Sequence, residues 1–346
     1  MSRGADQRMV GTRPKGGSEI ITDGSTVGVI YNPASGGDGA CLPEGFLRGP
    51  DGFRPEVIVT EEQGDAREVA RGWREGLLVV AGGDGTFNEV VNGLGEAGFP
   101  GAVTLAVLPA GTGNDCARTL GMPDDPERAW EAIQAGQTRT LDVARVSPRG
   151  AEERFFVNAA VGGAGAEVSE AADDVDLKAR WGSLTYLRAS LGAARNLRAH
   201  GVELTLDGAR HRLRAVSVVV GNCRYAGGGW LAAPRANPED GLLDVVVVKH
   251  AGPRKLLALA PTALTRPDYL DEAGVFFARA EKIGVYPFPP GLKFNCDGEV
   301  LGPGPAEFSL VPRVLKVIVG PGYAPDPGRS DEARGTHSRR NAWFRR

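Results

Sequence analysis

The sequence predicts an α/β protein in two parts: an N-terminal three-layer α/β domain, then a C-terminal β-sandwich domain, with the functional site in the cleft between them. Three observations carry this. Up to about residue 145, short apolar runs alternate with segments of helical periodicity, the pattern of a parallel sheet covered by helices. From about 146 to 320 strand-like runs dominate, which points to a sandwich or barrel-like sheet. Three glycine-rich turns follow strands of the first part, at the sheet end where parallel α/β proteins bind ligands.

In chain order, strands are expected at Val27–Tyr31, Arg54–Thr60, Leu77–Ala81 and Thr104–Leu108, the third reading as an unbroken buried run. Helices are expected at Gly64–Glu75, Thr86–Gly95, Asp115–Leu120 and Pro126–Ala135; Phe87, Val90, Val91 and Leu94 recur at helical spacing in the second. The later strands are Arg154–Ala159, Val202–Leu206, Arg212–Gly221, Leu242–Lys249, Ala280–Val285, Leu292–Cys296 and Val314–Val319. One helix, about Asp176 to Ala199, interrupts them, with Leu184, Leu187, Leu191 and Ala194 on one face bordered by Arg188 and Arg195. Residues 1–24 and 321–346 lack periodicity and read as disordered, the second as a basic, aromatic tail. The domains are thus 25–145 and 146–320.

With 346 residues, 42% hydrophobic and 24% charged, the chain can bury a sizeable core. A formal charge of -3 gives no sign of a nucleic-acid partner. Cys41, Cys116, Cys223 and Cys296 are far apart and form no C-x-x-C pair, which argues for a reducing compartment and against zinc. No apolar stretch is long enough to span a bilayer and the start lacks a signal-peptide core. A cytoplasmic protein is expected, with contact to a membrane surface allowed.

The most informative segment is Gly82-Gly83-Asp84-Gly85-Thr86-Phe87-Asn88-Glu89, between a strand and a helix. Glycines let backbone approach a phosphate, and the free N–H groups of the helix start face the anion. A carboxylate there, Asp84, suits a bound Mg²⁺ or a transferable proton. The P-loop pattern is absent, and G-x-G-x-x-G fails at Asn88. A second turn, Asn32-Pro33-Ala34-Ser35-Gly36-Gly37, can wrap a phosphate or ribose, and reads equally as a plain turn. In the third, Pro109-Ala110-Gly111-Thr112-Gly113-Asn114-Asp115, Asn114 or Asp115 can cap the next helix; capping leaves Gly-Thr-Gly unexplained. In the second domain Asp297-Gly298-Glu299 brings two carboxylates to one turn, either to accept a proton from an alcohol or as a hairpin with solvated acids.

Together, the Asn32–Gly36, Gly82–Thr86, Pro109–Asp115 and Asp297–Glu299 segments resemble, in this order, the diacylglycerol kinase catalytic-domain family, which includes bacterial soluble lipid kinases and sphingosine and ceramide kinases. The likeness extends over about residues 26–320, with Thr140-Leu141-Asp142-Val143, Phe155–Ala159 and Asp240–Asp244 adding to it. It implies transfer of the γ-phosphate of ATP to a lipid hydroxyl: diacylglycerol, or a related lipid alcohol such as a sphingoid base. It implies a nucleotide held by Asn32, Pro33, Ala34, Ser35, Gly36, Thr60, Gly82, Gly83, Asp84, Gly85, Thr86, Phe87, Asn88 and Thr112. Glu299 matches the proton acceptor, with Asp297 beside it and Asp84 helping Mg²⁺ bridge the phosphates. A structural Mg²⁺ of some bacterial members would fall at Asn237, Asp240 and the carbonyl of Leu242. No P-loop lysine is present, and Arg118 or Lys293 can partly replace it. The lipid, presented at a membrane surface, would lie against the second domain near Trp181, Leu184 and Leu187. A homodimer is compatible with such a chain. The GGDGT turn alone also permits a kinase for NAD or a sugar phosphate, and the fold permits a non-catalytic lipid-binding protein.

Overall fold

A computed structural model describes residues 26–36, 42, 55–163, 199–251 and 267–326. The end segments 1–24 and 327–346, Gly37, Cys41, Arg54 and the expected helix over 176–198 lie outside these residues. With that helix go Trp181, Leu184, Leu187, Arg188, Leu191, Ala194 and Arg195.

The first domain follows its apolar runs. Strands β1 (Val27–Tyr31), β2 (Glu56–Val59), β3 (Gly76–Gly82) and β4 (Val103–Pro109) form a parallel sheet in the order β4-β3-β1-β2. From Leu77 to Gly82 β3 is wholly buried, as is all of β4, as parallel strands covered by helices require. Helix α1 (Asp65–Gly72) links β2 to β3 and α2 (Asp84–Glu96) links β3 to β4. The two helices approach so closely that a methyl group at Gly93 would collide with the carbonyl of Arg67. After β4 come α3 (Asp115–Thr119) and α4 (Pro126–Ala135). Helix α4 has matched ends: the Asp125 carboxylate accepts from the Arg128 N–H at 3.0 Å, Pro126 opens the helix, and Gly136 closes it in the left-handed region.

The domains are woven together. Strand β5 (Thr138–Pro148), not among the strands expected from the sequence, runs antiparallel to the final strand β15 (Ala306–Ile318). The sequence reading began that last strand only at Val314. It is longer because a shift in register between Val311 and Leu315 is stabilised from outside: buried Asp142 accepts the Arg313 N–H at 2.7 Å and the Gly241 N–H at 2.8 Å. Past this bulge β15 returns to the first domain, where Val317 lies beside Leu105 of β4 in parallel. The expected boundary at 145/146 falls within β5.

The second domain is antiparallel. It contains β6 (Arg154–Phe156), β7 (Ala159–Gly163), β8 (His200–Leu206), β9 (Ala209–Gly221), β10 (Leu243–Lys249), β11 (Val275–Ala280), β12 (Lys282–Phe288), β13 (Phe294–Cys296) and β14 (Glu299–Val300), with a 3-10 turn at Pro267–Asp271. From Ala215 to Gly221 both faces of β9 are covered. Val218 and Val220 join Phe156, Phe294 and Phe308 in one apolar cluster, while Val219 joins Val246 and Tyr269 in another. Two expected strands are corrected. Arg154–Ala159 breaks into β6 and β7, for a reason given below. Ala280–Val285 is the junction of β11 and β12, where Asp207 accepts the Lys282 N–H at 2.9 Å and the Glu281 N–H at 3.1 Å.

Candidate active site

Three turns meet at the carboxyl ends of β1, β3 and β4. The Asn32 amide donates to the Thr86 hydroxyl at 2.9 Å, and the Asn32 side-chain oxygen accepts from the Ala34 N–H at 3.0 Å, so the first turn is tied to the second. The Ser35 hydroxyl donates to the Asn32 carbonyl at 2.8 Å. Thr60 is buried and its N–H donates to the Tyr31 carbonyl at 2.9 Å. Helix α2 begins after Gly83 with no side chain capping it, so the N–H groups of its first turn are left for another acceptor. Gly85 has open space where a side chain would stand. Gly111 is needed because its backbone touches Gly83; a methyl there would overlap the Gly83 Cα. Gly113 is needed because a methyl would come within 2.8 Å of the Asp84 carboxylate. Gly-Thr-Gly is thus a contact surface between two turns, with Thr112 exposed at its tip.

The acids of these turns serve one another's backbones. Asp84 accepts from the N–H groups of Asp115 and Cys116, each at 3.0 Å, and so caps α3 from another turn. Neither residue expected to cap α3 does so. The Asn114 side chain closes its own loop on Gly111, and the Asp115 carboxylate points outward to the N–H groups of Gly228 at 2.8 Å and Gly229 at 2.6 Å. Burial, then the charge of Asp84, pushes the Asp115 carboxyl up to about 6. Asp297 sits in a two-residue hairpin turn with Gly298, both at positive φ. Its carboxylate accepts the N–H groups of Val157 at 2.7 Å and of Asn158 and Ala159 at 3.0 Å each, which breaks the strand there into β6 and β7. Burial pushes Asp297 up to about 7, with Asp84 adding to it and the three N–H donors opposing it. The turn is a hairpin, but Asp297 is not a solvated acid, and its oxygens hold backbone rather than facing an alcohol.

Glu299 is placed differently. It opens β14 and faces a cavity of 470 Å³ lined by Gly64, Arg67 and Glu89 of the first domain and by Arg154, Gly298 and Glu299 of the second. Arg154 Nη1 lies 2.6 Å from Glu299 Oε2. Glu89 accepts the Gly64 N–H at 3.1 Å, and burial holds its carboxyl above the usual range, with the charge of Glu299 adding to the rise. Sequence reasoning missed Arg154 and Glu89 as site residues. Glu89 carried a signal, since it lies one helical turn beyond Gly85 on the helix that begins at the glycine turn. Arg154 carried none, because its partner is distant in sequence.

Of the other expected site residues, Phe87 and Asn88 are corrected: Phe87 is in the core, and buried Asn88 accepts at its Oδ1 from the Asn92 amide at 3.1 Å. Helical rotation turns both inward from the exposed Gly85. Pro33 and Ala34 are exposed, with Ser35 and Gly36 half-buried beside them. Arg118 lies 3.9 Å from Asp115 and over the Tyr225 ring. Lys293 is exposed. Cys116, Cys223 and Cys296 are free and buried, and burial raises all three thiols, which suits packing and not nucleophilic attack.

Among the described residues no group of three or more His, Cys, Asp or Glu side chains gathers to hold a metal. Near Asp240 the oxygens are turned elsewhere. Asn237 Oδ1 accepts from the Glu239 N–H and Asp240 Oδ1 from the Leu242 N–H, each at 3.0 Å, while Asp240 Oδ2 faces Arg279 Nη1 at 3.6 Å. Arg279 also pairs with buried Asp244 at 3.1 Å, so a guanidinium already stands beside the carboxylate that such a cation would use. At the glycine turns both oxygens of Asp84 and of Asp115 already accept backbone N–H groups. Mg²⁺ carried in with phosphates would draw on a remaining lone pair of one such carboxylate, which suffices for an ion that keeps most of its water and phosphate ligands. No helix among the described residues is long and apolar enough to cross a membrane.

The sequence pattern of the diacylglycerol kinase catalytic domain matches residues 26–146, and that of the YegS C-terminal NAD kinase beta sandwich-like domain matches 158–319. A diacylglycerol kinase of Bacillus subtilis is 32% identical over 84% of this chain and 95% of its own. One from Mycobacterium tuberculosis is 33% identical over 75% of this chain and 83% of its own. The crystal structure of a diacylglycerol kinase from Bacillus anthracis aligns over 87% of this chain and 98% of its own, with TM-score 0.65 and 26% identity. An α/β domain of glycine turns, a β-sandwich-like domain and this degree of likeness over most of the chain lead to one conclusion: the chain belongs to the diacylglycerol kinase family, lipid kinases that are phosphotransferases with an alcohol group as acceptor.

Proposed function

We propose that the protein transfers the γ-phosphate of ATP to the hydroxyl of a lipid, diacylglycerol or a related lipid alcohol, at a membrane surface. The observation that carries this reading is the cavity shared by Gly64 and Glu89 of one domain with Arg154 and Glu299 of the other. The nucleotide phosphates bind the uncapped start of α2 and the backbone of Gly82–Gly85, with Asn32, Ser35 and Thr112 around them. Asp84 keeps the third turn closed against the second, and its remaining lone pairs face the phosphates. Mg²⁺, when bound with the nucleotide, supplies charge neutralisation to the phosphates. Glu299 takes the proton of the lipid hydroxyl as its oxygen attacks. The new oxygen–phosphorus bond forms, the bond to the bridging oxygen breaks, and ADP leaves. Asp297, engaged by three backbone N–H groups, positions the hairpin that presents Glu299.

Incubation with γ-labelled ATP, Mg²⁺ and a panel of lipid alcohols tests this, with NAD and sugar phosphates as soluble acceptors. Label recovered in a phospholipid supports the proposal. Label only in a soluble product makes the protein a kinase of small metabolites, and lipid binding without any transfer makes it a non-catalytic binder.

A further inference from the structure

The glycine turns hold no cation. Gly82–Thr86 and Pro109–Asp115 contain neither lysine nor arginine, yet a transferring phosphoryl group spreads negative charge over three oxygens that something must stabilise. Two arginines line the shared cavity. Arg67 is paired with Glu96, which lies outside that lining. Arg154 is paired with Glu299, the carboxylate to which proton removal is assigned above. Both partners are about one-third exposed, at 34% and 29% of their side-chain surface, so the pair is reachable by a ligand.

The backbone under Arg154 is fixed against α2. The Phe155 N–H donates to Asn92 Oδ1 and the Asn92 amide donates to the Phe155 carbonyl, each at 2.9 Å. Asn92 lies about one turn beyond Glu89 on the helix whose N-terminus faces the phosphates. The strand is therefore anchored while the long guanidinium side chain projects into the cavity.

We infer that Arg154 is a catalytic residue that changes partners during transfer: it binds the Glu299 carboxylate before reaction and the phosphoryl oxygens while the phosphate moves. This rests on the reading above, in which Glu299 accepts the hydroxyl proton. When Glu299 takes that proton its carboxylate charge is lost and the ion pair with Arg154 is discharged. At that moment the oxygen–phosphorus bonds are exchanging and the flattened phosphoryl group carries negative charge on three equatorial oxygens. The planar guanidinium fork matches these oxygens, so the proton goes to Glu299 and the released guanidinium meets the phosphoryl charge. The ion pair also keeps two carboxylates, Glu89 and Glu299, from facing the cavity uncompensated.

The test compares R154M, R154K and E299Q with the unaltered protein, each first checked for an unchanged melting temperature. Turnover is followed with labelled ATP and lipid, and binding of Mg²⁺–ADP with and without aluminium fluoride, a mimic of the phosphoryl group in flight, by calorimetry. R154M is expected to lose roughly 10²–10³-fold in kcat, the scale for removing one donor to a developing anion, with little change in the KM for ATP. Its affinity for Mg²⁺–ADP–aluminium fluoride should fall by a similar factor while that for Mg²⁺–ADP holds, and R154K should restore part of both. Unchanged fluoride-complex affinity in R154M overturns the inference, whatever happens to kcat, because Arg154 then serves only to hold Glu299. Near-normal turnover in E299Q with a weakened fluoride complex in R154M refutes the proton role of Glu299 and the exchange of partners with it. If no lipid is phosphorylated at all, the proposed function fails separately, and the fluoride comparison still decides whether Arg154 meets the phosphoryl group.

Discussion

The two domains build the candidate site by opposite means. The first offers backbone at its glycine turns, an uncapped helix start and an open Gly85, and lends Gly64, Arg67 and Glu89 to the common cavity. The second offers side chains: Glu299 and Arg154, set at the edge of a sheet by a two-residue hairpin and a three-residue strand. Backbone N–H groups hold an anion with little regard to what is attached to it, whereas a carboxylate at one position sets which bond is made. The junction reverses these roles. Asp115 of the first domain serves the N–H groups of Gly228 and Gly229, so there the first domain gives the side chain and the second the backbone.

If chemistry resides in the second domain, its removal should spare nucleotide binding. Glu299→Gln is expected to lower lipid phosphorylation by roughly 10²–10⁴-fold, the range for a positioned acid or base, with ATP affinity retained. Turnover and nucleotide titration on the same preparation check this. A matched loss of ATP affinity would merge the two domains' roles.

The reverse experiment is Gly111→Ala. The added methyl overlaps Gly83, so the second and third turns must part. A cost of about 1–3 kcal/mol is expected from such overpacking, together with a clear loss of ATP affinity. Thermal melting and nucleotide titration read the two effects. Stability lost without any change in ATP affinity would mean that the meeting of these turns is packing alone.

Asp297→Asn probes the junction. An amide cannot accept three N–H donors with both of its heavy atoms, so at least one of Val157, Asn158 or Ala159 is left unsatisfied. The expected destabilisation is about 1–3 kcal/mol, measured by denaturant unfolding, with ATP affinity unchanged. A fall in ATP affinity as large as that of Gly111→Ala would contradict the division drawn here.

How much of this was legible depends on how far apart the partners lie in sequence. Strands β1, β3 and β4 and helix α4 follow from local patterns: unbroken apolar runs, and an Asp-Pro start with a glycine stop. The glycine turns were legible as a group, and Glu299 through its Asp-Gly-Glu word. What local pattern could not give is set by distant acids. The break between β6 and β7 is made by Asp297, the bulge in β15 by Asp142, and the break between β11 and β12 by Asp207. Phe87 and Asn88 were misplaced because a motif was taken as a contiguous ligand surface, while a helix turns successive residues to different sides.

Both domains hold acids whose carboxyls are raised, and these give the smallest expected effect. In the first domain burial pushes Asp115 up to about 6; in the second it pushes Asp244 and Asp297 up to about 7. An aspartate has an ordinary value of 3.8 once the chain unfolds. Between that value and the raised one, the folded protein holds protons that the unfolded chain releases. The unfolded state then binds fewer protons, so stability falls as pH rises through this window and levels off above about 7. Exposed Asp65 works the other way, because the backbone N–H groups of Glu62 and Glu61 lower its carboxyl, but its contribution is lost only as pH falls below the ordinary range. The melting temperature should therefore drop between pH 5 and pH 8, by roughly 2–4 °C for each kcal/mol lost. Asp115→Asn should flatten the lower part of this slope and Asp244→Asn the upper part. A melting temperature that rises over the same interval would mean that backbone N–H donors at Asp115 and Asp297, and Arg279 at Asp244, outweigh burial, and that these carboxylates are ionised throughout.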